Sequence, residues 1–113
     1  MNETTAKSVI DMFEMANLRN IETGLPMVIW IKPKGNEKHG ARIKVQTEHG
    51  DKAREGQWVT VTVENEPKLI GKGLHTKDFT LVSDFVKKNQ KILLQFWNDT
   101  ISLSAFLNKI TRT

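Results

Sequence analysis

The feature of the sequence that most constrains the fold is a long amphipathic run from residue 76 to residue 98. Its apolar side chains recur at intervals of three and four residues, which is the spacing of one helix face. They are Phe79, Val82, Phe85, Val86, Ile92, Leu93 and Phe96. The run therefore predicts one long helix, capped by Thr76 and ending at Asn98, whose apolar face needs a partner layer.

Three runs before this helix have the alternation and the β-branched content of strands, and two polar, glycine-containing loops separate them. The predicted strands cover residues 27–32, 41–48 and 57–65. Residues 68–70 can add a short strand at the edge, because Pro67 limits the pairing of the third strand. Consecutive strands without a crossover helix form an antiparallel meander. The predicted class is α+β: a three- or four-stranded antiparallel meander packed by one long helix.

A flanking helix is also predicted at each end of the chain. Residues 4–18 carry apolar side chains at helical spacing, and Gly24 and Pro26 stop that pattern. The C-terminal helix shows the same spacing, and Ser102 or Thr100 can cap it. Its apolar side chains are Leu103, Phe106, Leu107 and Ile110.

Composition narrows the class of protein further. With 113 residues, one domain is expected, with a helical segment over 1–24 and the sheet and remaining helices over 27–113. The absence of cysteine excludes disulfides and thiolate metal sites, and no apolar run is long enough for a transmembrane helix. The first seven residues lack the apolar region of a signal peptide, so a cytoplasmic protein is expected.

Alternation gives the predicted sheet two different faces. The inner face, beneath the long helix, takes the apolar residues Ala41, Ile43, Val45, Val59, Val61 and Val63. The outer face takes Arg42, Lys44, Trp58, Thr60 and Thr62. If Met27 and the isoleucines of the first strand join the core, the outer face also gains Trp30 and Lys32.

Two indoles among three cations are typical of sheet surfaces that bind single-stranded nucleic acid, where bases stack on the rings and phosphates meet the cations. The net charge of +4, from 17 Lys and Arg against 13 Asp and Glu, is compatible with such a ligand but is also ordinary for a small domain. In the alternative arrangement, the N-terminal helix or a second subunit covers the outer face, and the tryptophans are packing residues.

The sequence contains no motif that identifies an enzyme. Three histidines, His39, His49 and His75, fall in predicted loops, and their spacing is not that of a metal site. The segment Gly71-Lys72-Gly73 lacks the remaining residues of a phosphate-binding loop and is interpreted as a turn. On the long helix, Lys87, Lys88 and Lys91 lie near one another and are interpreted as a solvated face, although phosphate or an acidic partner could meet them.

From residue 27 to residue 99, the order of elements resembles a family of small uncharacterised bacterial proteins that are often associated with toxin–antitoxin gene pairs. The match rests on Lys38-His39-Gly40-Ala41-Arg42, on the segment 71–76, and on the helix end 91–98. His39 corresponds to the first histidine of a Pro-Pro-His-x-His segment in that family. Ala41 stands in place of the second histidine, and Glu37-Lys38 in place of the prolines. The resemblance implies the same sheet and helix, and marks His39 as a candidate site.

These observations lead to three hypotheses for function. The first is a small, cytosolic, non-catalytic bacterial protein that acts as a homo-oligomer or binds a protein partner, without a cofactor or a metal and without a membrane. The second is binding of single-stranded nucleic acid through Trp30, Lys32, Arg42, Lys44 and Trp58. The third is a hydrolase or nuclease that uses His39.

Overall fold

A computed structural model describes residues 16–54 and 56–113 of the chain. Its centre is a five-stranded antiparallel sheet in which every strand pairs with the next one in sequence. The strands are β1 (Ala16–Leu18), β2 (Ile29–Ile31), β3 (Arg42–Gln46), β4 (Trp58–Thr62) and β5 (Leu69–Ile70). The helices are α1 (Asn20–Thr23), α2 (Thr76–Lys88), α3 (Gln90–Trp97) and α4 (Leu103–Lys109). The predicted α+β class and the antiparallel meander are confirmed.

The strand count differs from the prediction because β1 adds a fifth strand. Residues 16–18 were expected at the end of an N-terminal helix, but they pair with β2 in the register Ala16 to Ile31 and Leu18 to Ile29. Ala16 and Leu18 are buried and the residue between them is exposed, which is the alternation of a strand. The edge of β2 supplies the hydrogen-bonding partner, so pairing overrides the helical pattern at these three residues. The rest of the predicted helix, residues 4–15, lies outside the described residues.

The main core lies between the inner face of the sheet and the last three helices. The inner residues Ile29, Ile31, Ile43, Val45, Val59 and Val61 meet Val82, Phe85, Val86, Leu93, Phe96 and Phe106 in one buried cluster. The predicted inner face is therefore correct, and the first strand has the phase that turns its isoleucines inward. Burial of this apolar surface is the main stabilising term of the fold, at about 25 cal/mol per Å².

The single long helix of the prediction is two helices that meet at Asn89. The backbone of Asn89 has φ −111° and ψ 15°, and its side chain is 2% exposed. Its Nδ2 donates to the carbonyls of Phe85 and Thr111, at 2.9 Å each, and its Oδ1 accepts from the Thr111 N–H at 2.7 Å. An asparagine amide that bonds to backbone competes with the helix for the same groups, so α2 ends and α3 begins here.

The helix termini also differ in detail from the prediction. His75, rather than Thr76, precedes α2 with an extended backbone, and Thr76 is already the first helical residue. At α4, Ser102 is the cap, because its Oγ accepts a hydrogen bond of 3.1 Å from the Ala105 N–H. Helix α3 ends at Trp97, with Asn98 after it as expected.

The residues after α4 contact the segment between β1 and β2. The Thr113 N–H donates to the Thr23 carbonyl at 2.9 Å. Gly24, at φ +78°, lies against this segment, and a Cβ atom at Gly24 would be 2.6 Å from the Thr113 carbonyl oxygen. Glycine is therefore required here both by the left-handed backbone and by the close approach of the chain.

None of the helices in the described part of the chain combines the length and the apolar character needed to cross a membrane.

The hydrogen bonds of Asn89 can be tested by the variant Asn89→Ala, which removes both backbone contacts to Thr111. We expect the free energy of unfolding to fall by about 2 kcal/mol, because polar groups that Asn89 pairs lose their partners. Urea denaturation followed by circular dichroism measures the change. The matched control is Asn108→Ala at an exposed position of α4, where a change within about 0.5 kcal/mol is expected. Equal effects of the two substitutions would contradict the role assigned to Asn89.

Candidate nucleic-acid interface

The outer face of the sheet carries one row of side chains that crosses all five strands. Strand register aligns Asn17 with Trp30, Trp30 with Lys44, Lys44 with Thr60, and Thr60 with Ile70. Lys44 and Ile70 are exposed, and Trp30 and Thr60 are half-buried. Within the described residues, this face is thus polar at its centre and accessible along β3.

Two tryptophan rings on this face contact each other. The ring centroids of Trp30 and Trp58 lie 4.9 Å apart, with the ring planes tilted by 51°. The indole N–H of Trp58 donates to the Arg54 carbonyl at 3.0 Å, whereas the indole N–H of Trp30 is buried without a partner in the described part of the chain. Because both residues remain half-buried, each keeps some indole surface accessible beside the contact.

The loop between β3 and β4 closes one end of the outer face. Gln46 has the outward phase of Arg42 and Lys44, yet it is 3% exposed. Its Oε1 accepts from the Arg54 N–H at 2.9 Å, and its Nε2 donates to the Glu48 carbonyl at 3.3 Å. Nothing in the strand pattern predicts this burial, because it depends on the loop turning back over the strand end. The loop thereby places Arg54 beside Trp58.

The same loop is anchored through Asp51. Its Oδ2 accepts from Arg19 Nε at 3.1 Å, and its Oδ1 accepts from the Asn20 N–H at 2.9 Å, at the start of α1. The hydrogen bond from Arg19 and then the one from Asn20 hold the pKa of Asp51 below its ordinary value. The hydrogen bond between Arg19 and Asp51 also raises the pKa of Arg19.

Two grooves lie side by side on the outer face. The first, of about 320 Å³, is bordered by the loop between β2 and β3. The second, of about 590 Å³, is bordered by the loop between β3 and β4. Charged and aromatic side chains of the first are Trp30, Lys32, Glu37, His39, Arg42 and Lys44, and those of the second are Trp30, Lys44, Arg54 and Trp58. Trp30 and Lys44 border both, so the two grooves adjoin each other beside β3.

The residues predicted from the sequence are thus brought together, with two additions. Trp30, Lys32, Arg42 and Lys44 border the first groove, as does His39, the candidate from the family resemblance, and Trp58 borders the second. The additions are Glu37 and Arg54, which come from loops and have no strand phase that could have assigned them to this face.

The basic side chains of the first groove have different partners. Lys32 forms an ion pair with Glu37 Oε1, and His39 Nε2 lies 3.1 Å from Glu37 Oε2. In contrast, no carboxylate among the described residues lies within ion-pair distance of Arg42 or Lys44. These two side chains are therefore the ones most available to a negatively charged ligand.

The three histidines have different neighbours. His39 contacts Glu37 and has its ring centroid 6.1 Å from that of Trp97, while His49 Nε2 lies 2.9 Å from an oxygen of Asp78. His75 is exposed at the start of α2. No group of three or more His, Asp or Glu side chains suited to a metal ion occurs in residues 16–54 and 56–113.

Comparisons with protein-family models, with curated proteins and with solved structures found no match for the chain. The geometry of the outer face is therefore the basis for a functional proposal.

The anchor of the loop between β3 and β4 leads to a pH-dependent prediction. Because folding lowers the pKa of Asp51, its contribution to stability is present above the ordinary aspartate pKa and is lost as the pH falls through the lower folded-state pKa. We expect the urea midpoint of the native chain to exceed that of Asp51→Asn at pH 7, and the two to converge as the pH falls below the ordinary aspartate pKa.

The variant Arg19→Gln is the matched test of the cause, because it removes the main partner of Asp51 and keeps the carboxylate. The urea midpoint of Arg19→Gln should therefore lack the same pH-dependent contribution that Asp51→Asn lacks. A difference in urea midpoint between the native chain and Asp51→Asn that does not shrink as the pH falls below the ordinary aspartate pKa would contradict the assignment.

Proposed function

We propose that this chain is a non-catalytic binding module of the bacterial cytoplasm, and that the outer face of its sheet binds single-stranded nucleic acid. The observation that carries the proposal is the pair of adjoining grooves that share Trp30 and Lys44. The cysteine-free sequence and the resemblance of residues 27–99 to bacterial domains support the location.

The charge arrangement supports an extended polyanion as the ligand. Arg42 and Lys44 are separated by one residue on β3 and point to the same face, so their Cα atoms are about 6–7 Å apart. Arg54 continues the series at the far groove, where it is exposed. Successive phosphates of a nucleic-acid backbone can meet cations placed in such a line, and each contact releases condensed counterions.

The aromatic residues support a single strand rather than a duplex. Base stacking on an aromatic ring contributes about 1–3 kcal/mol per base and tolerates any sequence. In a duplex, the faces of the bases are already stacked on one another and cannot reach Trp30 or Trp58. Unpaired bases can do so while their phosphates face Arg42 and Lys44.

Binding without catalysis is also supported by the surroundings of His39. A general base needs to reach the proton that it removes, with its ring nitrogen free for that contact. The Nε2 atom of His39 instead faces the carboxylate of Glu37, which is itself paired with Lys32. The Nδ1 atom of His39 lies 3.4 Å from the carbonyl oxygen of Gly40, so both ring nitrogens already face acceptors of the chain. We therefore propose that His39 forms part of the groove wall and takes no part in catalysis.

The proposal predicts that the chain binds a fluorescein-labelled ten-nucleotide deoxythymidine oligomer at low salt. Arg42→Ala and Lys44→Ala should each weaken binding and lower the magnitude of the salt slope by about 0.7, the value for one phosphate contact on a single strand. Fluorescence anisotropy at several NaCl concentrations measures both quantities. Lys87→Ala, at an exposed position of α2 on the helical side of the sheet, is the control and should leave the slope unchanged. No binding at 20–50 mM salt would refute the proposal.

A second candidate function is self-association at the sheet edge, favoured by one observation. Strand β5 pairs with β4 alone in the described residues, and Ile70 on it is 48% exposed at the end of the outer row. An exposed edge strand with an apolar side chain can pair with the same strand of another copy. This would make the chain a homo-oligomeric interaction module.

For this candidate, light scattering should give a mass of two chains at micromolar concentration, and Ile70→Lys should return it to one chain. Lysine protects sheet edges because pairing would bury its charge. Lys72→Ala is the control, since it alters an exposed side chain just beyond β5 without altering β5 itself. A native chain that is monomeric at all concentrations eliminates the candidate.

A further inference from the structure

We propose that Glu37 occupies the position of a ligand phosphate between Lys32 and His39, and that it thereby limits the affinity of the first groove for single-stranded nucleic acid. The inference rests on the proposed function and adds to it a phosphate position that is filled by the protein itself. Displacement of the Glu37 side chain would open this position to the ligand.

The carboxylate of Glu37 lies between the ammonium group of Lys32 and the ring of His39. Its Oε1 is paired with Lys32 Nζ, and its Oε2 lies 3.1 Å from His39 Nε2. Oε2 is also buried without a hydrogen bond among the described residues. A phosphodiester of a nucleic-acid backbone offers lysine the same kind of oxygen acceptor and carries its charge on two non-bridging oxygens, as a carboxylate does, so it could replace the carboxylate without loss of charge-assisted contacts.

The backbone around Glu37 makes this exchange a local event. The Glu37 N–H donates to the Lys34 carbonyl at 3.0 Å, and the Lys34 N–H donates to the Trp97 carbonyl at 2.7 Å. The loop between β2 and β3 is therefore fixed to the end of α3. Rotation of the Glu37 side chain is enough to free Lys32, and the half-exposed state of both side chains gives the carboxylate access to water when it leaves.

The charges of the first groove explain why Glu37 matters for affinity. Lys32, Arg42 and Lys44 are its lysine and arginine side chains, and the carboxylate of Glu37 neutralises one of them. A strand that binds the native groove meets two unpaired cations, and a third phosphate contact has to compete with the protein's own carboxylate. The substitution Glu37→Gln keeps the shape of the side chain and removes its charge, so Lys32 becomes available.

The test compares the native chain with Glu37→Gln in binding the ten-nucleotide deoxythymidine oligomer by anisotropy at 50–200 mM NaCl. We expect tighter binding by Glu37→Gln and a salt slope that is steeper by about 0.7, which corresponds to one further phosphate contact. Its advantage over the native chain should therefore shrink by roughly 2.6-fold between 50 and 200 mM salt. Thermal unfolding of both proteins checks that the substitution leaves the fold intact.

Two matched variants identify the cause of the gain. Glu66→Gln removes the same charge at an exposed position that borders neither groove, and it should give no steeper slope. The double variant Lys32→Ala with Glu37→Gln should lose the gain, because the freed cation is then absent. An equal gain from Glu66→Gln would mean a general charge effect and would overturn the inference.

The remaining outcomes separate this inference from the proposed function. If the native chain binds and Glu37→Gln has the same affinity and slope, the inference is wrong and nucleic-acid binding stands. If neither protein binds at low salt, both are wrong. Binding by Glu37→Gln alone would support the inference, with Glu37 as the group that closes the site, and would refute the proposed function for the native chain.

Discussion

The amide of Asn89 forms the contact on which the arrangement of the helices depends. It bonds to both backbone groups of Thr111, much as a neighbouring strand would, and it interrupts the helix at the same point. Helices α2 and α3, on either side of the interruption, both contribute to the core on the inner face of the sheet, and the chain after α4 reaches Thr23. The helical layer thus lies on the inner side of the sheet, opposite the face that carries Trp30 and Lys44.

The parts of the fold that follow from the sequence are those with local causes. Clean alternation in β3 and β4 fixes which side chains share a face, because each position depends only on its strand neighbours. The strand at residues 16–18 and the break at Asn89 have partners far away in the sequence, in β2 and at Thr111. The apolar helical pattern runs through both places, so no local pattern could reveal them.

In the candidate interface, too, some residues follow from a local sequence pattern and others do not. Arg42, Lys44 and Trp58 could be assigned to one surface because strand phase places them there, and Trp30 and Lys32 followed once the phase of the first strand was chosen. The contributions of Glu37 and Arg54 could not be assigned, because they come from loops whose course is set by contacts with Trp97, Gln46 and Asp51. Those loop residues decide which cations of the surface are already neutralised.

The pairing of every strand with its successor has a consequence for how the chain folds. Each addition to the sheet closes only a short loop, so its entropic cost is small and the sheet can assemble one hairpin at a time. The hydrogen bond from Thr113 to Thr23 is of a different kind, because it joins residues 90 positions apart. We expect this contact to form last in folding and to open first in unfolding, so that the helical layer, rather than the sheet, sets the lifetime of the native state.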